Sequence, residues 1–156
     1  MGNLYNLFLI IHSWNRWIIL LSGLVLLVAL IYSLSTSKKF SNALKTIALT
    51  FLGSLHIQLL IGIILYVFLS PITQVAFNDF GSAMKNSGIR FWAVEHTLLN
   101  VIGIVLAQTG YSISKRKIDD KAKQKALLIW MGIAFLIILL AIPMGIMGVE
   151  RPWFRF

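Results

Sequence analysis

The sequence predicts an all-α, polytopic membrane protein in which one domain, residues 1–156, folds as an up-and-down bundle of four transmembrane helices. Of the 156 residues, 58% are hydrophobic and only 12% are charged, whereas about a quarter of the residues in a soluble domain carry charge. Four apolar runs reach the roughly 20 residues that a helix needs to cross a bilayer. The runs are continuous and do not alternate in polarity, which argues against transmembrane strands.

We expect the spans near 7–33, 44–69, 91–114 and 126–149. The first has no basic n-region and no small-residue cleavage site, so it is predicted to be a retained helix and not a signal peptide. Ser41 or Asn42 is predicted to cap the second helix, because both side chains accept hydrogen bonds from the free N–H groups of a first turn.

The longest connection, 70–90, is predicted to contain a short helix that lies on the outer membrane surface. The apolar side of this helix would consist of Phe77, Phe80 and Met84. In the fourth span, Pro143 is predicted to bend the helix near its outer end, since proline removes one backbone donor and crowds the preceding turn. Met144 and Met147 would then lie near the depth of His96, as core residues or, less readily, as an axial ligand.

The net charge of +9 is concentrated in two connections that lie on the same side of a four-span protein. The basic residues there are Lys38, Lys39, Lys45, Lys115, Arg116, Lys117, Lys121, Lys123 and Lys125. The positive-inside rule places these connections in the cytoplasm and both termini outside, in the bacterial inner membrane. We interpret the lysines as topology signals that contact anionic lipids, and not as a nucleic-acid site. The closing "MGVERPWFRF" interleaves arginine with aromatic residues, which is typical of an anchor at the outer surface.

Cysteine is absent, which excludes disulfides, Cys-ligated iron–sulfur clusters, covalent c-type haem and thiolate zinc sites. The sequence contains no nucleophile–base set, phosphate-binding loop or pair of acid–base carboxylates, so the chain is not expected to be an enzyme on its own. Transport is disfavoured because there is no inverted repeat and no pair of broken helices. Any metal or haem must therefore be held by histidine, methionine, tyrosine or carboxylate.

Small and polar residues form one stripe on each of three spans, at the steps of three and four that mark a single helix face. The stripes are His12, Arg16, Ile19 and Gly23 on the first span, Leu49, Gly53, His56 and Leu60 on the second, and His96, Asn100, Gly103, Ala107 and Gly110 on the third. Because helices in lipid associate through close packing of small residues, all three stripes are predicted to face the bundle.

The three histidines are therefore candidate ligands, since neutral imidazole is a natural iron ligand and histidine pairs hold haem between bundle helices. With a rise of about 1.5 Å per residue, His12 and His96 differ by about 4 Å in height, whereas His56 lies about 9 Å below His96. His96 is the predicted central ligand, His12 its favoured partner and His56 the second choice. Arg16, one turn below His12, is a candidate partner for a haem propionate.

Other interpretations of these residues stay open. A histidine in a membrane helix also serves as a hydrogen-bonding interior residue without any ligand. Zinc held by His12, His96 and Glu95 is chemically possible but lacks a short fixed spacing such as H-E-x-x-H. Glu95 itself is expected at the rim, paired with Arg16 or Arg90 so that its charge is not stranded.

Four stretches resemble small four-span bacterial integral membrane proteins labelled cytochrome b-like: "HSWNRW", "HIQLLIGIILY", "FWAVEH" and "RPWF". The resemblance covers nearly the whole chain, and the matches fall on His12, Arg16, His56, Gln58, Gly62, Glu95 and His96. It implies that haem b is bound. Such relatives often have a further histidine where this chain has Tyr111, which argues against a second haem near the cytoplasmic side.

These observations lead to two functional hypotheses. The first is a membrane cytochrome b-like protein that transfers electrons in the outer half of the bilayer, with quinol or another membrane redox protein as its partner. The second is a structural or accessory subunit, whose polar stripes pack against its own helices or against a larger membrane complex. Haem b is expected in the first case and absent in the second, so the colour of the purified protein discriminates between them.

Overall fold

The computed structural model describes residues 2–143, 145 and 149–155. In this part of the chain the regular structure is helical, which confirms the all-α prediction. The α-helices are α1 (Gly2–Ser35), α2 (Asn42–Ile64), α3 (Pro71–Asn78), α4 (Phe80–Lys85), α5 (Ser87–Arg90), α6 (His96–Arg116) and α7 (Asp120–Ala141). Two π-helical turns extend the second and third long helices, the α2 π turn (Leu65–Leu69) and the α6 π turn (Phe91–Glu95).

Four continuous helical stretches are long and apolar enough to cross a membrane, as the hydropathy of the sequence predicts. They are Gly2–Ser35, Asn42–Leu69, Ser87–Arg116 and Asp120–Ala141, with 34, 28, 30 and 22 residues. The first three predicted spans fall inside these helices. The fourth helix begins earlier than expected and ends well before residue 149, because the chain leaves the helix at Pro143.

The four long helices form a ring in which α1 packs against α2 and α7, and α6 packs against α7 and α2. Consequently α1 and α6 face each other across the diagonal of the bundle. The core between them is filled by large apolar side chains, including Leu26, Phe51 and Met131, none of which is measurably exposed. Side chains on the inward faces of α1 and α6 therefore meet at the centre.

The connections behave largely as the sequence predicts. The Ser41 hydroxyl accepts a hydrogen bond of 3.2 Å from the Leu44 N–H and caps α2. The 70–90 connection folds into α3, α4 and α5 at one end of the bundle, here called the α3–α5 end. Phe77 and Phe80 are about half exposed there, as expected of apolar side chains on surface helices.

The predicted bend of the fourth span at Pro143 is wrong, since the helix stops instead of bending. Ile142 takes an extended conformation, with φ −74° and ψ 132°, because the residue before a proline is pushed out of the α region. Gly145 has φ +83°, and its N–H donates to the Val149 carbonyl at 3.1 Å. The Arg151 N–H donates to the Pro143 carbonyl at 3.2 Å, so the chain folds back over the bundle.

This returning segment, residues 149–155, is here called the strap. It lies against α1 at the α3–α5 end, through contacts described below. Met144 and Met147, which were considered as core residues or ligands, lie outside the described residues.

Candidate functional site

A cavity of about 280 Å³ opens in the bundle at the α3–α5 end. Its lining is mostly apolar, and the deep side is formed by core residues such as Ile19, Ile104 and Ile138. The polar groups converge in two places, a pair of histidines at the centre and a set of arginines on the strap side. Such a concave, largely apolar space with a few placed polar groups is typical of a small-molecule site.

The two histidines that the depth estimate favours meet inside this cavity. The rings of His12, on α1, and His96, at the first position of α6, have centroids 6.2 Å apart and planes inclined by 56°. They come together because α1 and α6 are diagonal partners and both stripes face inward. The inward orientation of the first and third stripes is thus confirmed, with Gly23, Gly103 and Gly110 buried below the pair.

His96 is held in one orientation by its surroundings. Its Nδ1 lies 2.8 Å from the carbonyl oxygen of Ala141. Ala141 is the last residue of α7, so its carbonyl has no partner within the helix and is available to the histidine. A carbonyl only accepts, so the Nδ1 carries the proton and the Nε2 keeps its lone pair in the neutral ring. The rings of Phe91 and Trp92, both in the α6 π turn, lie 5.8 and 5.2 Å from the His96 ring.

His12 is supported through its backbone. The Gln58 amide nitrogen donates to the His12 carbonyl at 3.0 Å, and the Asn15 amide nitrogen donates to the Gln58 side-chain oxygen at 2.7 Å and to the Ser54 carbonyl at 2.9 Å. This buried network ties α1 to α2 at the level of the cavity. The His12 Nδ1 is buried and has no hydrogen-bond partner among the described residues.

His56 is not brought to this pair, and the prediction that its stripe faces the bundle is wrong. His56 is exposed, as are Leu49, Gly53 and Leu60, and its Nδ1 lies 2.8 Å from the Leu52 carbonyl of its own helix. The buried face of α2 carries larger apolar residues instead. One face of a transmembrane helix meets lipid and the other meets the bundle, and both surroundings are apolar. The small and polar residues of α2 therefore did not decide which face points inward.

Glu95 lies at the rim and pairs with Arg90, with 2.8 Å between Oε1 and Nε. The expectation of a rim ion pair is confirmed for Arg90 and not for Arg16. Among the described residues, no group of three or more His, Asp or Glu side chains comes together as a metal site. The carboxylate of the zinc alternative is thus the one that pairs with Arg90.

The strap brings two further arginines, Arg151 and Arg155, into the cavity lining beside Arg16. Arg16 donates to the Trp153 carbonyl, and the indole N–H of Trp17 donates to the same oxygen at 3.2 Å. Arg151 and Arg155 were not predicted as site residues, because "RPWF" has the composition of a surface anchor and only the reversal of the chain places it over the cavity.

Asn15 and Tyr66 were also missed. Asn15 follows His12 by three residues and so shares its helix face, a signal that was available in the sequence. The Tyr66 hydroxyl donates to the Ala93 carbonyl at 2.7 Å and links the two π turns. No sequence signal indicates this bond, since it depends on where two irregular turns lie in space.

Comparison with known proteins finds no matching family model, no matching curated protein and no matching solved structure. The resemblance of the quoted motifs to cytochrome b-like proteins accordingly stays an expectation, and function is inferred from the geometry of the cavity.

Proposed function

We propose that this protein binds one haem b in the cavity, where His12 and His96 would hold the iron, and that the haem would supply one-electron exchange with quinol or a membrane redox protein. The observation that carries the proposal is the 6.2 Å separation of the two ring centroids across the bundle. An imidazole nitrogen lies roughly 2 Å from a metal that it ligates, so two imidazoles that would hold one ion have ring centroids no more than about 6 Å apart.

The hydrogen bond and the ring contacts of His96 support the same role. The contact to the Ala141 carbonyl leaves the Nε2 of His96 as the free nitrogen, and a second hydrogen bond of this kind is what orients histidine ligands in metal sites. The lining around the histidine pair is mostly apolar, and haem b, when bound, would supply one-electron chemistry. Phe91 and Trp92 limit the rotation of the His96 ring.

The first test is the haem content and the reduced-minus-oxidised spectrum of the purified protein, with three histidine variants. His12→Ala and His96→Ala are expected to lose the haem b signal. His56→Ala is the matched control, because His56 is exposed and bonds to its own helix, and it is expected to keep wild-type haem content. Wild-type haem content in His96→Ala would refute the assignment.

A second candidate, a structural or accessory subunit of a larger membrane complex, is favoured by one observation. The exposed face of α2 carries Gly53 and His56, and a Cβ built at Gly53 meets no atom within 4 Å. A small and polar face of this kind allows another helix to approach closely. A colourless wild-type protein that co-purifies with a partner in stoichiometric amount, and loses it in Gly53→Leu, would favour this candidate over the haem protein.

A further inference from the structure

The strap side of the cavity carries three positive charges and no negative one. Arg16, Arg151 and Arg155 line it, and the lining contains no Asp or Glu among the described residues. A guanidinium at the edge of an apolar cavity is stabilised by pairing with an anion. Among the described residues, these three arginines have no carboxylate in an ion pair with them.

Four of the five acidic residues are engaged elsewhere. In the described part of the chain the two ion pairs are Arg90–Glu95 and Lys123–Asp120. Asp79 and Asp119 accept hydrogen bonds from the first turns of α4 and α7. Within the described residues, no carboxylate, Glu150 included, forms an ion pair with the three strap-side arginines.

The guanidinium groups of Arg16 and Arg151 are positioned by contacts that leave donors available. Arg151 lies over the Trp92 ring at 5.0 Å, and stacking on a ring face leaves the N–H groups at the edge free to donate. Arg16 lies 5.7 Å from the Trp17 ring. It donates to the Trp153 carbonyl through one terminal nitrogen, while its Nε is buried without a hydrogen-bond partner among the described residues.

The strap itself is attached through main-chain atoms. The carbonyl groups of Trp153 and Arg155 accept from the indole N–H groups of Trp17 and Trp14, at 3.2 and 3.0 Å. The ring of Phe154 stacks on Trp17 at 5.0 Å with planes 9° apart. Because the side chains of Arg151 and Arg155 take no part in these bonds, the bonds to Trp14 and Trp17 remain when the two charges are removed.

We propose that Arg16, Arg151 and Arg155 form an oxyanion site for an amphiphile that occupies the cavity, binding its carboxylate or phosphate group while the apolar body lies beside the histidines. Guanidinium groups bind both oxyanions through paired, charge-assisted hydrogen bonds. The inference rests on the proposed function where the amphiphile is haem, which carries two propionates. An anionic phospholipid is the other source of the same chemistry.

The haem source is tested by titrating detergent-solubilised protein with haemin and with haemin dimethyl ester, whose propionates are blocked. Wild type is expected to bind haemin at least about tenfold more tightly than the ester, because the ester cannot form charge-assisted hydrogen bonds with the arginines. A factor of ten corresponds to about 1.4 kcal/mol. Arg151→Gln and Arg155→Gln should each reduce this preference, and the double variant should abolish it. Lys85→Gln, which removes a charge on α4 outside the cavity lining, should keep the wild-type preference.

The lipid source is tested by native mass spectrometry after reconstitution with an equal mixture of phosphatidylglycerol and phosphatidylcholine. Selective retention of phosphatidylglycerol by wild type, lost in the Arg151→Gln/Arg155→Gln variant but kept in Lys85→Gln, supports the oxyanion site with lipid as the ligand. Equal binding of haemin and its ester, together with lipid retention that does not depend on the two arginines, would overturn the proposal.

The two proposals fail in distinguishable ways. If wild type binds no haemin, or binds it independently of His12 and His96, the proposed function fails and the lipid measurement alone decides the oxyanion site. If haemin binding requires both histidines but shows no preference over the ester and no arginine-dependent lipid retention, the proposed function stands and the oxyanion site is wrong.

Discussion

Glycines at the contacts between long helices leave no room for a side chain. A Cβ at Gly23 would lie 2.5 Å from the Phe135 ring, and one at Gly103 would lie 2.8 Å from the Ile138 side chain. At Gly110 it would overlap the Cβ of Trp130, an atom next to the backbone that cannot swing aside. The Gly103 and Gly110 contacts hold α6 close to α7, and the Gly23 contact holds α1 close to α7. All three depend on the absence of a single methyl group.

We predict that Gly110→Ala lowers the free energy of unfolding by about 1–3 kcal/mol, the usual cost of forcing extra volume into a packed core. The measurement is SDS-induced unfolding of the purified protein, followed by tryptophan fluorescence. Gly53→Ala is the matched control, because it meets no neighbour and replaces glycine in a helix, so stability should stay equal or rise by up to about 1 kcal/mol. Equal unfolding midpoints for the two variants would contradict this account of the α6–α7 contact.

At the scale of elements, the two π turns shape the α3–α5 end. A π turn inserts one extra residue into a helix and often marks a functional site. The α6 π turn directs Phe91 and Trp92 against the His96 ring, and the Tyr66 hydroxyl of the α2 π turn holds it at the Ala93 carbonyl. One hydrogen bond thus connects two irregular elements beside the histidine pair.

Tyr66→Phe is predicted to lower the free energy of unfolding by about 0.5–1.5 kcal/mol, the typical net value of such a hydrogen bond. Amide hydrogen exchange should also rise in the α6 π turn, because its backbone loses a partner. Tyr32→Phe serves as the control, since the Tyr32 hydroxyl contacts only the exposed Lys38 amine. A Tyr66→Phe protein with unchanged exchange in 91–95 would show that the bond does not hold the turn.

At the scale of the whole molecule, the basic connections lie together at the end opposite the cavity. The Gln124 amide of α7 donates to the Lys38 carbonyl of the α1–α2 connection at 2.8 Å, so both basic connections occupy the same side. The distribution of lysine and arginine then predicts that this end is cytoplasmic and that the cavity and the strap lie toward the outer surface.

This topology is tested with single cysteines, because the natural chain has none. Lys85→Cys lies on α4 at the cavity end, and Ile118→Cys lies in the α6–α7 connection, where the isoleucine is 96% exposed. A membrane-impermeant maleimide added to intact cells should label residue 85 and spare residue 118, and lysis should make residue 118 reactive. Labelling of residue 118 alone in intact cells would reverse the predicted orientation.

The sequence by itself determined the four long helices and the inward faces of α1 and α6. Both results depend on local properties, namely the length of an apolar run and the spacing of small and polar residues along one helix. The same local reasoning identified His12 and His96 as the pair closest in height, and Glu95 as a rim residue that needs a nearby arginine. A helical rise is uniform, so height along a span follows from residue number alone.

Only the tertiary structure decided which helices are diagonal, which face of α2 points to lipid, and where the strap lies. The hydrophobic effect does not decide which face of a transmembrane helix points into the bundle. His56 was predicted to face inward, but larger apolar residues occupy the buried face of α2 and His56 is exposed. Arg151 and Arg155 reach the cavity because Pro143 ends α7 and the chain reverses. These outcomes depend on contacts between residues far apart in the chain, and no local pattern in the sequence records such contacts.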